Sequence, residues 1–191
     1  DLQRDVPTLD LIDQSGADVL LEASWTNLET GQPATDYCLR AFKNGQHVVM
    51  ANKGPVALHF DKLQAAAQGA GRHLRYEGTV MAGTPALALA QEALAGWTIT
   101  AARGILNGTT NYMLTQMEQG VSYDDVLADA QAKGYAEADP TADVGGWDAA
   151  AKALILARGL FGADLALADL DVTGIAEITL DDIDQAKAAG E

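Results

Sequence analysis

The chain has 191 residues, with 12 Lys and Arg against 27 Asp and Glu for a formal charge of −15, and 48% of its residues are apolar. That length can bury the core of one domain or two small ones, and a charged fraction of 20% is too low for intrinsic disorder. The acid excess repels phosphate backbones and no Lys or Arg run offsets it, which argues against nucleic acid and anionic membranes as partners and favours small amines and metal cations. The lone Cys38 rules out an internal disulfide, and no stretch approaches the roughly 20 apolar residues that span a bilayer, so a reducing, cytoplasmic home is expected. The opening Asp1 to Asp5 has neither an initiator Met nor a signal pattern, as expected if a leader has gone or the chain is part of something longer.

In chain order, Val6 to Gln14 suits a short helix and the apolar run Ala17 to Ala23 a buried strand. A polar loop from Ser24 to Gln32 follows, then a helix opened by Pro33 and stopped at Asn44-Gly45, then a second strand over His47 to Met50. Strand, helix, strand is a parallel crossover unit, whose function sits where the strands end, at Ser24 to Asn27 and Ala51 to Lys53. The pattern continues as a helix from Pro55 to Gly69, a strand from His73 to Val80, a bend at Ala82 to Pro85 and a helix to Ala95. Further on, Trp97 to Leu106 has the β-branched character of a strand, and Asn107 to Asn111 reads as a turn or helix cap. Helices are expected to Met117 and from Ser122 to Lys133, a loop from Gly134 to Gly146, and a buried-centred helix from Trp147 to Leu160. A strand over Leu170 to Ile178 and a helix capped by Thr179 close the chain. The one internal boundary suggested lies near Lys53 to Pro55.

The densest group of reactive side chains is Glu137, Asp139, Asp143, Asp148 and Lys152. Asp148 and Lys152 stand four apart, on one face of the expected helix, with the acid first. Such a pair can be an ordinary surface ion pair. On a helix otherwise built of Ala, Leu and Ile, beside three further acids, it also suits a cleft where burial and a neighbouring carboxylate tune a lysine in opposite directions. Lys53 is placed at a strand end, by a Gly-Pro that fixes the chain direction, or else is a solvated turn lysine. Tyr76 to Pro85 offers an acid and a bend whose carbonyls can face a hard cation, or an ordinary turn. Asn107 to Asn111 is an anion-binding helix start or a plain cap. His47, His59 and His73 show no ligand spacing, Cys38 suits packing, and Gly69-Ala-Gly71 follows a helix, the reverse of a dinucleotide turn.

Four blocks carry a resemblance: Ala51-Asn52-Lys53-Gly54-Pro55, Glu77 to Pro85 (EGTVMAGTP), Gly104 to Tyr112 (GILNGTTNY) and Gly134 to Pro140 (GYAEADP) running through to Lys152. Their order and spacing resemble the homoserine dehydrogenases, over essentially the whole chain. The resemblance implies an oxidoreductase that interconverts L-homoserine and L-aspartate 4-semialdehyde with NAD or NADP, in the pathway toward threonine and methionine. It implies an α/β fold: residues 1–54 as the second part of a doubly wound, Rossmann-type nucleotide-binding domain, and 55–191 as an α+β catalytic and dimerisation domain of a homodimer.

By the same resemblance Lys152 is the proton-transferring lysine, Lys53 lies beside the reacting oxygen, and Asp148 orients Lys152 and touches the substrate. Glu137 and Asp143 suit the substrate ammonium, and Thr109 and the Tyr135 backbone the amino-acid end. Ser24, Thr26, Asn27 and Asn52, with Lys53, face the cofactor. Glu77 with the carbonyls of Val80, Ala82 and Thr84 matches a structural sodium site. Gly78 and Trp25 depart from the residues more usual there. The family's opening GxGxxG turn and its closing strands have no counterpart in the sequence, so little turnover is expected from these 191 residues alone. The alternative is a non-catalytic amino-acid-binding or dimerisation module.

Overall fold

The computed structural model describes residues 5–190; residues 1–4 of the opening stretch and Glu191 lie outside them. Packing divides the chain into two compact units, one running to Thr100 with Ala151–Asp169 added, the other comprising Ala101–Ala150 and 170–190. The helix that follows residue 52 packs on the helix before it, and the next strand joins the same sheet.

In the first unit, α1 (Thr8–Gln14) precedes β1 (Val19–Glu22), α2 (Ala34–Lys43), β2 (His47–Met50), α3 (Lys53–Ala70) and β3 (Leu74–Arg75). The three strands are parallel in the order β1-β2-β3, with Val19 beside His47 and Val48 beside Leu74. Alternation sorts the side chains: Glu22, Val48, Met50 and Leu74 are buried, whereas Val19, Leu21 and Val49 are exposed. Cys38 of α2 is fully buried, and that burial, with Glu22 nearby, pushes its thiol up to about 12, a packing residue as expected.

α3 starts two residues before Pro55. Asn52 caps it, its side-chain oxygen accepting the Gly54 N–H at 3.0 Å, and Pro55 then falls in the first turn, where a missing N–H costs nothing. Lys53 is therefore the first helical residue rather than part of an open turn. The helix is broken at His59, whose φ of −134° and ψ of 30° are not helical.

The strand expected over His73 to Val80 is a correction: only Leu74–Arg75 pairs, and Gly78–Met81 forms a helical turn, α4. β2 ends at Met50, the residue the register sets beside Tyr76, and turns into the α3 cap, so Glu77 onward has no neighbour to continue the ladder. The Thr79 hydroxyl instead closes back on the Tyr76 carbonyl at 2.6 Å. After the bend, α5 (Ala86–Ala88) continues into a π turn over Leu89–Ala93.

Trp97 to Leu106 is likewise not a strand. Trp97 is 79% and Ile105 68% exposed, and among the described residues no strand pairs with this segment, so its β-branched content finds no ladder to join.

The second unit is helical. α6 (Gly108–Met117) and α7 (Tyr123–Ala132) bury Met113, Met117, Val126 and Ala130 against Val144 and Ile175. Inside the loop read over Gly134 to Gly146, Thr141–Val144 forms a short helix, α8, before α9 (Trp147–Phe161). The strand expected over Leu170 to Ile178 is absent. The Ile175 N–H donates to the Val144 carbonyl at 2.7 Å, the Ile178 N–H turns back on the Ile175 carbonyl at 3.1 Å, and a Cβ on Gly174 would stand 2.5 Å from the Val144 oxygen. So close an approach binds the segment edge-on to a turn, where no extended neighbour exists. A 3₁₀ turn (Leu167–Asp169) follows α9 in the first unit, and α10 (Leu180–Ala189) opens with the expected Thr179 cap, completed as a capping box by Asp182. Among the described residues no helix is long and apolar enough to cross a membrane.

Candidate functional site

Parallel strands deliver their C-terminal ends to one edge, where the first unit gathers Ser24, Asn27, Asn52 and Lys53. Glu22 is buried; its Oε1 accepts the Ser24 N–H at 3.0 Å and the Ser24 hydroxyl, while its Oε2 is buried without a hydrogen bond. Asn52 Nδ2 donates to Ser24 Oγ at 3.4 Å and to the Trp25 carbonyl at 3.2 Å, joining the loop after β1 to the start of α3. The two meet so tightly that a Cβ on Gly54 would lie 2.6 Å from the Asn27 carbonyl oxygen. Asn27 turns its own loop by accepting from the Glu29 and Thr30 N–H groups at 2.9 and 2.8 Å, with Thr26 half-buried beside it. An open cleft of about 590 Å³ runs beside β1, lined by Leu20 through Trp25, Pro33 and Tyr37. The edge is thus tight at Gly54 and holds one buried carboxylate oxygen, Glu22 Oε2, with no hydrogen-bond partner among the described residues.

At the end of β3, Glu77 accepts the Leu87 and Ala88 N–H groups at 2.9 and 2.7 Å and so fixes the start of α5. The Thr84 carbonyl accepts from Ala86 N–H at 2.8 Å, Val80 is buried, and Ala82 takes φ 51°, ψ −113°, a backbone that side-chain-bearing residues rarely adopt. Glu77 and the carbonyls of Val80, Ala82 and Thr84 are all hard oxygens, the chemistry an alkali or alkaline-earth ion takes, and both Glu77 oxygens and the Thr84 carbonyl already accept backbone N–H groups. No cluster of three or more His, Cys, Asp or Glu side chains with metal-site geometry occurs among the described residues.

The second unit centres on Asn107, the buried cap of α6. Its Oδ1 accepts the Thr110 N–H at 2.8 Å, which orients the amide so that Nδ2 faces two carboxylates: Asp143 Oδ1 at 2.7 Å and Asp148 Oδ2 at 3.0 Å. Two of the four acids read from the sequence are thus brought together. The other two are not: Asp139 accepts from the Thr141 N–H and hydroxyl, which hold its carboxyl below the ordinary range, and Glu137 is exposed. By sequence alone Asn107 reads as a cap or an anion site. The missed signal is the residue type, since Asp or Ser caps as well but only Asn also offers two donors. One turn after Asp148, α9 carries Lys152, half-buried.

Thr109 Oγ1 donates to the Tyr135 carbonyl at 2.7 Å, joining two of the expected substrate contacts. The turn bearing Tyr135 is held by a network absent from the sequence reading. Tyr112 bonds Asp129, Lys133 Nζ reaches both at 2.8 Å and lies over the Tyr112 ring, and the rings of Tyr112 and Tyr135 are 5.0 Å apart. Hydrogen bonds from Lys133 and then Tyr112 hold the Asp129 carboxyl below its ordinary 3.8, and the same partners raise Lys133. A depressed carboxylate adds stability above its unfolded value and gives it up as pH falls; a raised lysine keeps its contribution until pH rises past its ordinary 10.5. Asp129→Asn is therefore expected to lower the melting temperature at pH 7, with the gap to wild type closing below about pH 4. A gap of the same size at pH 3 would show that the ion pair does not hold the turn.

A three-stranded parallel crossover sheet in one unit and a helical unit that pairs two carboxylates make this an α/β protein. The sequence profile of homoserine dehydrogenase matches residues 85–191, more than half of the chain, and the chain belongs to that family. It is 49% identical over 177 residues to an NAD(+)-dependent homoserine dehydrogenase of Pseudomonas canavaninivorans, covering 93% of this chain and 50% of that one. Among solved structures it is similar to a homoserine dehydrogenase from Thiobacillus denitrificans, with TM-score 0.84, 37% identity, and 96% of this chain and 42% of that one covered. It is also similar to a hyperthermophilic archaeal homoserine dehydrogenase in complex with NADPH, with TM-score 0.80, 30% identity, and 91% and 52% covered. The chain spans about half the length of the curated relatives it matches.

Proposed function

We propose that the chain supplies the second part of the nucleotide-binding domain, within residues 1–54, and the substrate domain, 55–191, of an oxidoreductase that interconverts L-homoserine and L-aspartate 4-semialdehyde. The reading rests on family membership and on one observation above the others: the Asn107 amide holds Asp143 and Asp148 together at the start of the helix that bears Lys152. NAD or NADP, when bound, supplies the hydride acceptor for the carbinol carbon. The hydroxyl proton then needs a base, and Lys152 receives it, returning it to the aldehyde oxygen in reverse. Lys53 polarises the same oxygen, and Asp148 orients Lys152. Asp143, Asp148 and Glu137 attract the substrate ammonium, and Thr109 with the Tyr135 backbone takes the amino-acid end. Ser24, Thr26, Asn27 and Asn52, with Lys53, line the cofactor edge, and Glu77 with the carbonyls of Val80, Ala82 and Thr84 would hold a structural sodium ion.

A cytoplasmic homodimer serving threonine and methionine synthesis completes the proposal; a monomer in analytical ultracentrifugation at micromolar concentration would contradict the dimer. The deciding experiment is L-homoserine-dependent formation of NADH or NADPH by the chain completed at both ends to the length of its relatives. Activity is expected. A folded, inactive protein would favour a non-catalytic amino-acid-binding or dimerisation role.

A further inference from the structure

Arg158, on the part of α9 that belongs to the first unit, is half-buried, and among the described residues its guanidinium donates to backbone carbonyls. Nη1 donates to the Ala57 carbonyl at 2.9 Å and more distantly to that of Val56 at 3.5 Å, while Nε donates to the Leu165 carbonyl at 3.1 Å, joined there by Nη2. An arginine placed among carbonyls is unusual, because a carboxylate is its ordinary partner and half-burial of the charge must be balanced by strong acceptors.

The reason for those acceptors lies in α3. Its helical course breaks at His59, and carbonyls in the turn before a break lose their regular partners. Val56 and Ala57 are in that turn, and both are fully buried, out of reach of water. The break is fixed from its other side as well, by His59 Nε2 against the Thr30 carbonyl at 2.9 Å. The first segment of α3 is thus a short, separately anchored piece of helix, and its first residue is Lys53, one turn before the carbonyls that Arg158 grips. On α9, Lys152 stands six residues before Arg158, about 9 Å along the axis.

We propose that Arg158 is a positioning residue of the reaction site: it fastens the Lys53 segment of α3 to the helix that carries Lys152 and so sets the spacing of the two lysines. This rests on the reading above that both lysines act on the reacting oxygen. Arg158 itself touches no reacting atom. Its planar fork reaches two chain segments at once, which a lysine ammonium cannot reproduce.

Two measurements test it. In the 191-residue chain, Arg158→Lys is expected to speed amide exchange across residues 57–61 while leaving α2 unchanged. In the chain completed at both ends, Arg158→Lys and Arg158→Met are expected to lower kcat for L-homoserine by about 100-fold, the cost of roughly 1 Å of misplacement, with cofactor KM unchanged. Free guanidinium should restore part of the Arg158→Met rate. Unchanged exchange over 57–61 would overturn the clamp. A lower melting temperature with unchanged kcat per folded molecule would reduce Arg158 to a fold-stabilising residue and overturn the positioning role. An inactive completed wild type would overturn the dehydrogenase reading and the catalytic consequence with it, while the exchange result would still decide the clamp.

Discussion

Lys152→Ala, in the chain completed at both ends, is expected to lower kcat for L-homoserine oxidation roughly 100- to 10,000-fold, the range that loss of a general base produces. That is about 3 to 5 kcal/mol of transition-state stabilisation. The KM for homoserine should move far less, because the proposed ammonium contacts come from Asp143, Asp148 and Glu137, which the substitution leaves in place. Equal loss in kcat and kcat/KM is the signature of a group that acts in the transition state alone. The helix should tolerate the change, since alanine has the highest helix propensity and α9 is already rich in it. Small primary amines added to the variant should recover part of the rate, with larger recovery for those that fit the vacated space. A variant that keeps near-wild-type kcat would end the assignment of Lys152 as base. One that loses KM instead of kcat would make it a binding residue.

The alternation from α1 to α3 was legible because each element carries its own signal: apolar periodicity, a cap such as Asn52, a stop such as Asn44-Gly45. The same holds for α6, α7 and α10, where Asn107, Ser122 and Thr179 mark the starts, each accepting from a backbone N–H two or three residues inside the helix. Of the strand read over His73 to Val80 only Leu74–Arg75 pairs, and the two later strands do not form. Tyr76 to Val80, Trp97 to Leu106 and Leu170 to Ile178 have the composition of strands, but a strand exists only with a neighbour to share its hydrogen bonds, and local composition does not report the neighbour. The site divides in the same way. A carboxylate-rich stretch before Lys152 could be read directly. That Asp143 and Asp148 meet while Asp139 turns to Thr141 depends on Asn107, more than 30 residues earlier, which no local pattern ties to them. Arg158 was invisible for the same reason, because its acceptors are backbone carbonyls of another helix.

Asn107→Asp is the change expected to damage the substrate-binding unit most for the least alteration of shape. Asp caps a helix as well as Asn does, so the bond from Thr110 N–H survives and α6 should keep its start. What changes is the other half of the side chain. Two N–H donors, at 2.7 Å from Asp143 and 3.0 Å from Asp148, become an acceptor oxygen, so two half-buried carboxylates lose a partner and face a third negative charge. Removing hydrogen bonds to charged groups costs about 1.5 to 3 kcal/mol each, and like charges at this separation add to that. The expected result is a fall in the urea midpoint equivalent to about 3 kcal/mol or more, together with a rise in homoserine KM and no change in cofactor KM. Asn107→Ser separates the two effects, since it keeps a cap and loses the donors without adding charge; it should fall between wild type and Asn107→Asp on both measures. If Asn107→Asp matched wild type in midpoint and KM, the amide would not be what joins Asp143 to Asp148, and a carboxylate pair awaiting the substrate ammonium would lose its structural basis. If the two variants fell equally, lost donors rather than charge would govern the site, and Asp143 and Asp148 would be better seen as supports of the α6 cap than as the groups that receive the ammonium.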